Sequence, residues 1–258
     1  MSSQIEKRVL VVAGLGNGTG TGAATARLFS SSGYSVALIA RGATNVEKIA
    51  DDINKSGGHA VAFPVASYSD EDVTSAWAAI HARFPKPEYA IRAALFNASH
   101  GVWKPFLETN TQDVQDCIQT NVAAAFSFSR GAILAFKEND IDQSNGKRGA
   151  LIITGATASV RGHSIMSAFA AGKFGKRALS QSLAKEFGKD NIQVAHVIID
   201  GGILTNRAES RPAEWKANKD AHITPEGIAS SYLYLVNQDR SAWTWEIDRK
   251  LPFFSFPR

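Results

Sequence analysis

A single cysteine, Cys117, in a chain of 258 residues leaves no partner for an intramolecular disulfide and excludes a zinc site built from several cysteines. Long apolar runs are missing too; none approaches the roughly 20 residues that a membrane-spanning helix needs. The N-terminus, MSSQIEKRVLVVAG, passes from polar residues into a short strand-like run, without the apolar stretch and small-residue cleavage site of a secretory signal. Runs of Lys or Arg are absent, and the net charge of +4 is scattered along the chain, which argues against a nucleic-acid partner. These absences lead to the expectation of a cytoplasmic protein with no membrane, nucleic-acid or metal partner. What is present is the composition of an ordinary globular chain, 44% hydrophobic and 20% charged. Its length suits one α/β domain spanning residues 1–258.

Strand-like and helix-like segments alternate along the sequence. The predicted strands are Arg8–Ala13, Ser35–Ala40, His59–Val65, Ile91–Asn97, Gly149–Thr154 and Ile192–Ile199, with a last one at Trp243–Ile247. Between them fall helical patterns at Ala23–Ser31, Asn45–Asn54, Asp70–Phe84, Thr111–Phe136 and Ile165–Phe187, and a further helix starts near Thr224-Pro225-Glu226. Unbroken apolar strands alternating with helices predict an α/β fold: a Rossmann-type, doubly wound, seven-stranded parallel sheet in a three-layer α/β/α arrangement. The polar stretch Thr205–Ile223 follows a strand's C-terminal end, where a substrate lid would sit. The Phe- and Pro-rich tail, Leu251–Arg258, would pack on a neighbour or over a pocket.

Gly14, Gly16, Gly18, Gly20 and Gly22 lie between the first strand and the first helix. Glycines there let the backbone approach a pyrophosphate, and the helix start at Thr21 offers unpaired N–H groups and a positive dipole end. The second strand runs into Arg41 with no Asp or Glu at its end. A carboxylate there suits a free ribose hydroxyl and an arginine suits a 2′-phosphate, so NADP(H) is favoured over NAD(H).

These segments resemble the short-chain dehydrogenase/reductase family over nearly the whole chain. Val11-Val12-Ala13-Gly14 is similar to the family's first strand and turn, and Phe96-Asn97-Ala98-Ser99 stands where the family has NNAG. Ser167-Ala168-Phe169-Ala170-Ala171-Gly172-Lys173 has the frame of the YxxxK helix, and Asp200-Gly201-Gly202-Ile203-Leu204-Thr205 that of the PGxxxT segment. The resemblance implies that Asn97, Lys173, Gly201, Ile203 and Thr205 hold the cofactor. It gives Asn121 a structural and catalytic role, and makes Lys173 the ribose-binding group that lowers the tyrosine pKa. It also implies a homodimer or homotetramer built on the two long helices. The departures are as informative. Phe169 occupies the tyrosine position, and thirteen residues earlier Ala156 replaces the serine. Ala66 stands where an acid usually follows the third strand, Asp200 replaces a proline, and the glycine loop is about two residues longer than the family's. The chain is similar to a subgroup carrying the same Phe-for-Tyr change.

Phenylalanine cannot protonate an alkoxide, and each missing group is worth about 10²–10⁴-fold in rate. Ordinary ketone reduction is therefore not expected. The leading expectation is an NADP(H)-dependent oxidoreductase acting on an imine, an enone or an unusual carbonyl as its small-molecule substrate. Asn121 and Lys173 are retained, and His100, His163 and Asp200 are candidate replacement acids near the strands' C-terminal ends, with Thr157 and Ser159 as nearby hydroxyls. The alternatives are a nucleotide-binding regulator without turnover and a non-redox catalyst of cyclisation or isomerisation.

Overall fold

Seven parallel strands in the order β3-β2-β1-β4-β5-β6-β7 form the centre of the protein in a computed structural model that describes residues 6–208 and 210–251. The strands are β1 (Lys7–Ala13), β2 (Ser35–Arg41), β3 (His59–Val65), β4 (Tyr89–Phe96), β5 (Gly149–Thr154), β6 (Ile192–Asp200) and β7 (Glu246–Lys250). The helices are α1 (Thr21–Ser31), α2 (Ala43–Lys55), α3 (Asp70–Arg83), α4 (Thr111–Ile118), α5 (Ala124–Lys137), α6 (Ser167–Phe187), α7 (Ala213–Ala217) and α8 (Pro225–Asn237). This is the doubly wound three-layer fold that the alternation of segments predicts.

The layers follow from side-chain alternation. Along β1, Val9, Val11 and Ala13 point into a core with Trp77, Phe128 and Phe136, while Leu10 and Val12 point into a second core with Phe29, Tyr232 and Leu235. A strand buried on both faces must be apolar at every position, which is why these strands read as continuous apolar runs. Local signals fix several helix starts. The Ser69 side chain accepts from the Asp72 N–H, Asn110 and Asp113 form a reciprocal capping box, and Thr224 accepts from the Gly227 N–H with Pro225 in the first turn.

Most boundaries agree with the expected ones to within two residues, and two differences have a clear cause. The long helix predicted over 111–136 is divided by a π-helical segment, Gln119–Ala123, which holds Asn121. The last strand begins at Glu246 instead of Trp243, because its register pairs Glu246 with His196, and the Trp245 carbonyl already accepts from the His196 N–H at 2.7 Å. From residue 252 onward the Phe- and Pro-rich tail lies outside the described residues. Among the described residues no helix is long and apolar enough to cross a membrane.

The chain leaves β1 toward one face of the sheet and β4 toward the other. A crevice therefore opens at the C-terminal ends of these neighbouring strands, the place where open α/β sheets take ligands.

Candidate active site

The crevice is a cleft of about 680 Å³, within the size range of small-molecule and cofactor sites. The turn after β1 forms one wall. Gly14 has a φ of 97°, and a side chain there would be driven into the backbone of Asn97 and Ala98 at the end of β4. Gly22 lies so close to the Gly14 carbonyl that a Cβ would collide with it. The Asn97 Nδ2 donates to the same carbonyl at 2.7 Å, locking the turn to β4. With the loop held this way, α1 starts at Thr21, and the N–H groups of its first turn have no intrahelical acceptor.

Of the expected cofactor contacts, Gly14, Gly16, Thr21, Arg41, Asn97, Lys173, Gly201, Ile203 and Thr205 line this cleft. Gly18 does not: it is a turn residue with φ of 91° that faces the Ile49 side chain. Here the chain makes a turn behind the wall, with the Gly18 N–H bonded to the Leu15 carbonyl and Arg27 donating to the Gly18 carbonyl. Arg41 ends β2 exposed, its guanidinium 5.4 Å from the centre of the Tyr68 ring. Among the described residues, Arg41 and Lys173 are the only charged side chains on the wall, and no carboxylate lines it. A pyrophosphate-bearing dinucleotide fits such a cleft: open backbone at Gly16, a helix N-terminus and a lone cation at each end.

At the other end of the cleft stand Ser99, Trp103, Thr154, Gly155, Ala156, Phe169 and Lys173. The Phe169 ring packs against Trp103 with centroids 5.4 Å apart. Lys173 is buried, with its Nζ 5.5 Å from the centre of the Phe169 ring and 3.4 Å from the Thr154 carbonyl. Burial pushes its pKa down to about 8, since an ammonium loses hydration there. The hydroxyls nearby are spoken for. Ser99 donates to the Asn121 Oδ1 at 2.8 Å, and Thr154 pairs with the buried Tyr232 hydroxyl at 2.8 Å.

The structure does not bring the other candidate acids to the cleft wall. Asn121 lies behind Ser99, where its Nδ2 donates to the His100 carbonyl at 2.7 Å; it braces the segment after β4. The His100 contribution recorded in this network is its backbone, and its ring is not among the lining groups. His163 is exposed, its Nδ1 within 3.1 Å of the Ser164 carbonyl. Asp200 is buried and turned away, accepting a short hydrogen bond from Thr157 with Arg161 3.6 Å off. Ser159 accepts from the Ala156 N–H at 3.0 Å. Asp200, Thr157 and Ser159 sit near the strand ends as expected, but the hydrogen bonds that shape the turn after β5 use them up.

Sequence reasoning passed over Trp103 and Tyr68, which line the cleft. Trp103 carries no motif; its loop is tied to the loop before α6 by the Lys104 N–H donating to the Ile165 carbonyl at 2.9 Å. Ile165 itself has a φ of 60°, an unusual conformation for a β-branched residue that marks a constrained loop beside the site. The 205–223 segment folds over the end of β6, with the Trp215 ring close to Gly202 and 5.1 Å from the His222 ring.

Comparison with known proteins agrees with this geometry. A family model described as short chain dehydrogenase matches residues 7–215. A 3-oxoacyl-(acyl-carrier-protein) reductase of Bos taurus is 28% identical over 196 residues, covering 76% of this chain and 76% of its own length. Among solved structures, a short-chain dehydrogenase from Rhodopseudomonas palustris is 28% identical with a TM-score of 0.75, covering 94% of this chain and 98% of its own. An alcohol dehydrogenase from Thermococcus sibiricus, complexed with 5-hydroxy-NADP, has a TM-score of 0.81 at 20% identity, with 97% and 99% covered.

Proposed function

The chain belongs to the short-chain dehydrogenase family, and from that premise we propose that it is an NADP(H)-dependent oxidoreductase with an altered reaction end, reducing an imine, an enone or an unusual carbonyl. The observation that carries the reading is the division of charge and hydroxyl groups along one cleft. Its nucleotide end has the glycine turn, the α1 N-terminus and Arg41, whereas its reaction end has Ala156 and Phe169 where a serine and a tyrosine would act. Arg41, with no carboxylate among the described residues of the wall, suits a 2′-phosphate. The Thermococcus relative bound to an NADP derivative supports the same choice.

Gly14, Gly16, Thr21, Arg41, Asn97, Gly201, Ile203 and Thr205 would hold the dinucleotide, with Lys173 at its ribose. Bound NADPH would supply a hydride at the Phe169 end. The protein's own part there is to position an acceptor against a largely apolar wall. Trp103, 56% exposed, extends that wall toward solvent, so an apolar substrate is favoured over a charged one. Residues 205–223 serve as the lid over it. The solution unit is a homodimer or homotetramer.

Parallel fluorescence titrations with NADPH and NADH test the cofactor assignment. Selective NADPH binding is expected. Equal affinity for both would remove Arg41 as the phosphate reader, and binding of neither would leave the regulator or non-redox readings.

A further inference from the structure

We infer that Lys173 is the proton donor of this site: its ammonium protonates the substrate atom that gains electron density as hydride arrives. This rests on the oxidoreductase reading above and deepens it. Four observations support it. The first is position: Lys173 lines the cleft beside both Ala156 and Phe169, the places left without a hydroxyl. The second is hydrogen-bonding capacity. An ammonium has three N–H donors, and among the described residues its one hydrogen-bond acceptor is the Thr154 carbonyl at a long 3.4 Å. The third is elimination. Ser99 gives its proton to Asn121, the Thr154 hydroxyl is paired with Tyr232, and Asp200 is held by Thr157 and Arg161 away from the wall. Tyr68 sits under Arg41 at the opposite end. The fourth is that, apart from the ribose, the charge has no tyrosine to act on: a lysine that would tune one faces a phenyl ring instead.

The surroundings suit an acid that works near neutral pH. Burial alone brings Lys173 down to about 8, close to the pH at which a general acid is most effective. The titratable groups around it are Lys176 on the same helix, His196 on β6 and Tyr232 on α8 behind Thr154. Lys176 is itself buried and pushed well below the ordinary lysine range, and its Nζ donates to the Ala98 carbonyl at 2.8 Å. His196 is pushed down to about 4 by burial and is neutral at working pH. None of these offers Lys173 a carboxylate that would fix its charge.

The step balances without a further reagent. The hydride, with its two electrons, comes from the reduced nicotinamide. The proton comes from Nζ, whose N–H bond breaks as an O–H, N–H or C–H bond forms on the substrate. The resulting neutral amine regains a proton from water.

The test needs two measurements on the wild-type enzyme and two variants. Acetylation of Lys173 by acetic anhydride, followed by peptide mass spectrometry across pH, reports the amine's pKa without any turnover. NADPH oxidation with a panel of cyclic imines and enones is then followed across the same range. The wild-type rate should fall as pH rises through the pKa found by acetylation, because the acid must be protonated. Lys173→Arg keeps a cation for the ribose but cannot release a proton near neutral pH. With its NADPH affinity measured by fluorescence and the cofactor held at saturation, it should lose about 10²–10⁴-fold in turnover. Lys173→Met, neutral and suited to a buried site, should lose turnover to the same extent, with folding checked by a thermal melt. Turnover by Lys173→Arg at the wild-type rate, or a wild-type profile that stays flat through the amine's pKa, overturns the inference while leaving the oxidoreductase reading intact. A wild-type enzyme that binds NADPH yet oxidises it with no member of the panel overturns both.

Discussion

The two ends of the cleft are built from different materials. At the nucleotide end the essential features are backbone: a turn with no room for side chains at Gly14 and Gly22, and the N–H groups of the α1 start. At the reaction end they are side chains, and there Phe169 and Ala156 have removed two hydroxyls while Lys173 stays buried beside them. Backbone features are coupled to the packing of β1, β4 and α1, so they persist as long as the fold does. Side-chain chemistry can be exchanged at single positions without disturbing the sheet. A protein of this family can therefore keep its cofactor cleft while changing what it does at the far end.

The largest expected effect comes from reversing that exchange. Phe169→Tyr combined with Ala156→Ser should raise the reduction of simple ketones by about 10²–10⁴-fold, measured as NADPH consumption. A folded, NADPH-binding double variant that stays inert toward ketones would break the comparison at its reaction end. Next in size is a contrast within the glycine turn. Gly14→Ala combines a positive φ with a backbone collision and should cost at least about 2 kcal/mol of stability or cofactor binding. Gly16→Ala has a φ of 60° but nothing within 4 Å of its Cβ, and should cost only about 1 kcal/mol. Equal effects in thermal melts and NADPH titrations would mean that the turn is not what shapes the cleft.

Arg41→Ala should weaken NADPH by about 1.5–3 kcal/mol through loss of charged hydrogen bonds. NADH affinity should change little, so the ratio of the two dissociation constants is the quantity to measure. The smallest effect concerns Lys176, whose pKa burial pushes well below the ordinary 10.5. The unfolded chain keeps that proton up to the ordinary value and the folded chain sheds it, so folding is penalised most at low pH and least as pH approaches 10.5. Lys176→Met should then raise Tm at pH 7, by an amount equivalent to about 1 kcal/mol after the lost bond to Ala98 is counted. The gain should shrink as pH rises. A gain independent of pH would assign the effect to packing alone.

Legibility in the sequence divided along the same line. The alternation of strands and helices and the glycine turn were readable because periodicity and glycine placement are local signals. The π-helical segment at Asn121 and the start of β7 were not, since both sit where the chain pairs with residues far away, Ser99 and His196. At the reaction end, the absence of Ser and Tyr could be counted from Lys173. The fates of Asp200 and His163 could not, because sequence spacing does not show which way a side chain turns once Thr157 or the Ser164 carbonyl offers it a hydrogen-bond partner, and His100 is held through its backbone carbonyl by Asn121. Trp103 was invisible for the same reason, as only the fold lays it against Phe169.

The central claim is that a working NADP(H) cleft is joined to a reaction end unable to reduce ordinary ketones. It is tested most directly by following NADPH oxidation by the wild-type protein with matched substrates: a cyclic ketone, the corresponding enone and the corresponding imine. Oxidation with the enone or imine, and none above background with the ketone, is the expected result. Ketone reduction at a rate typical of enzymes, or tight NADPH binding with all three substrates untouched, would contradict it.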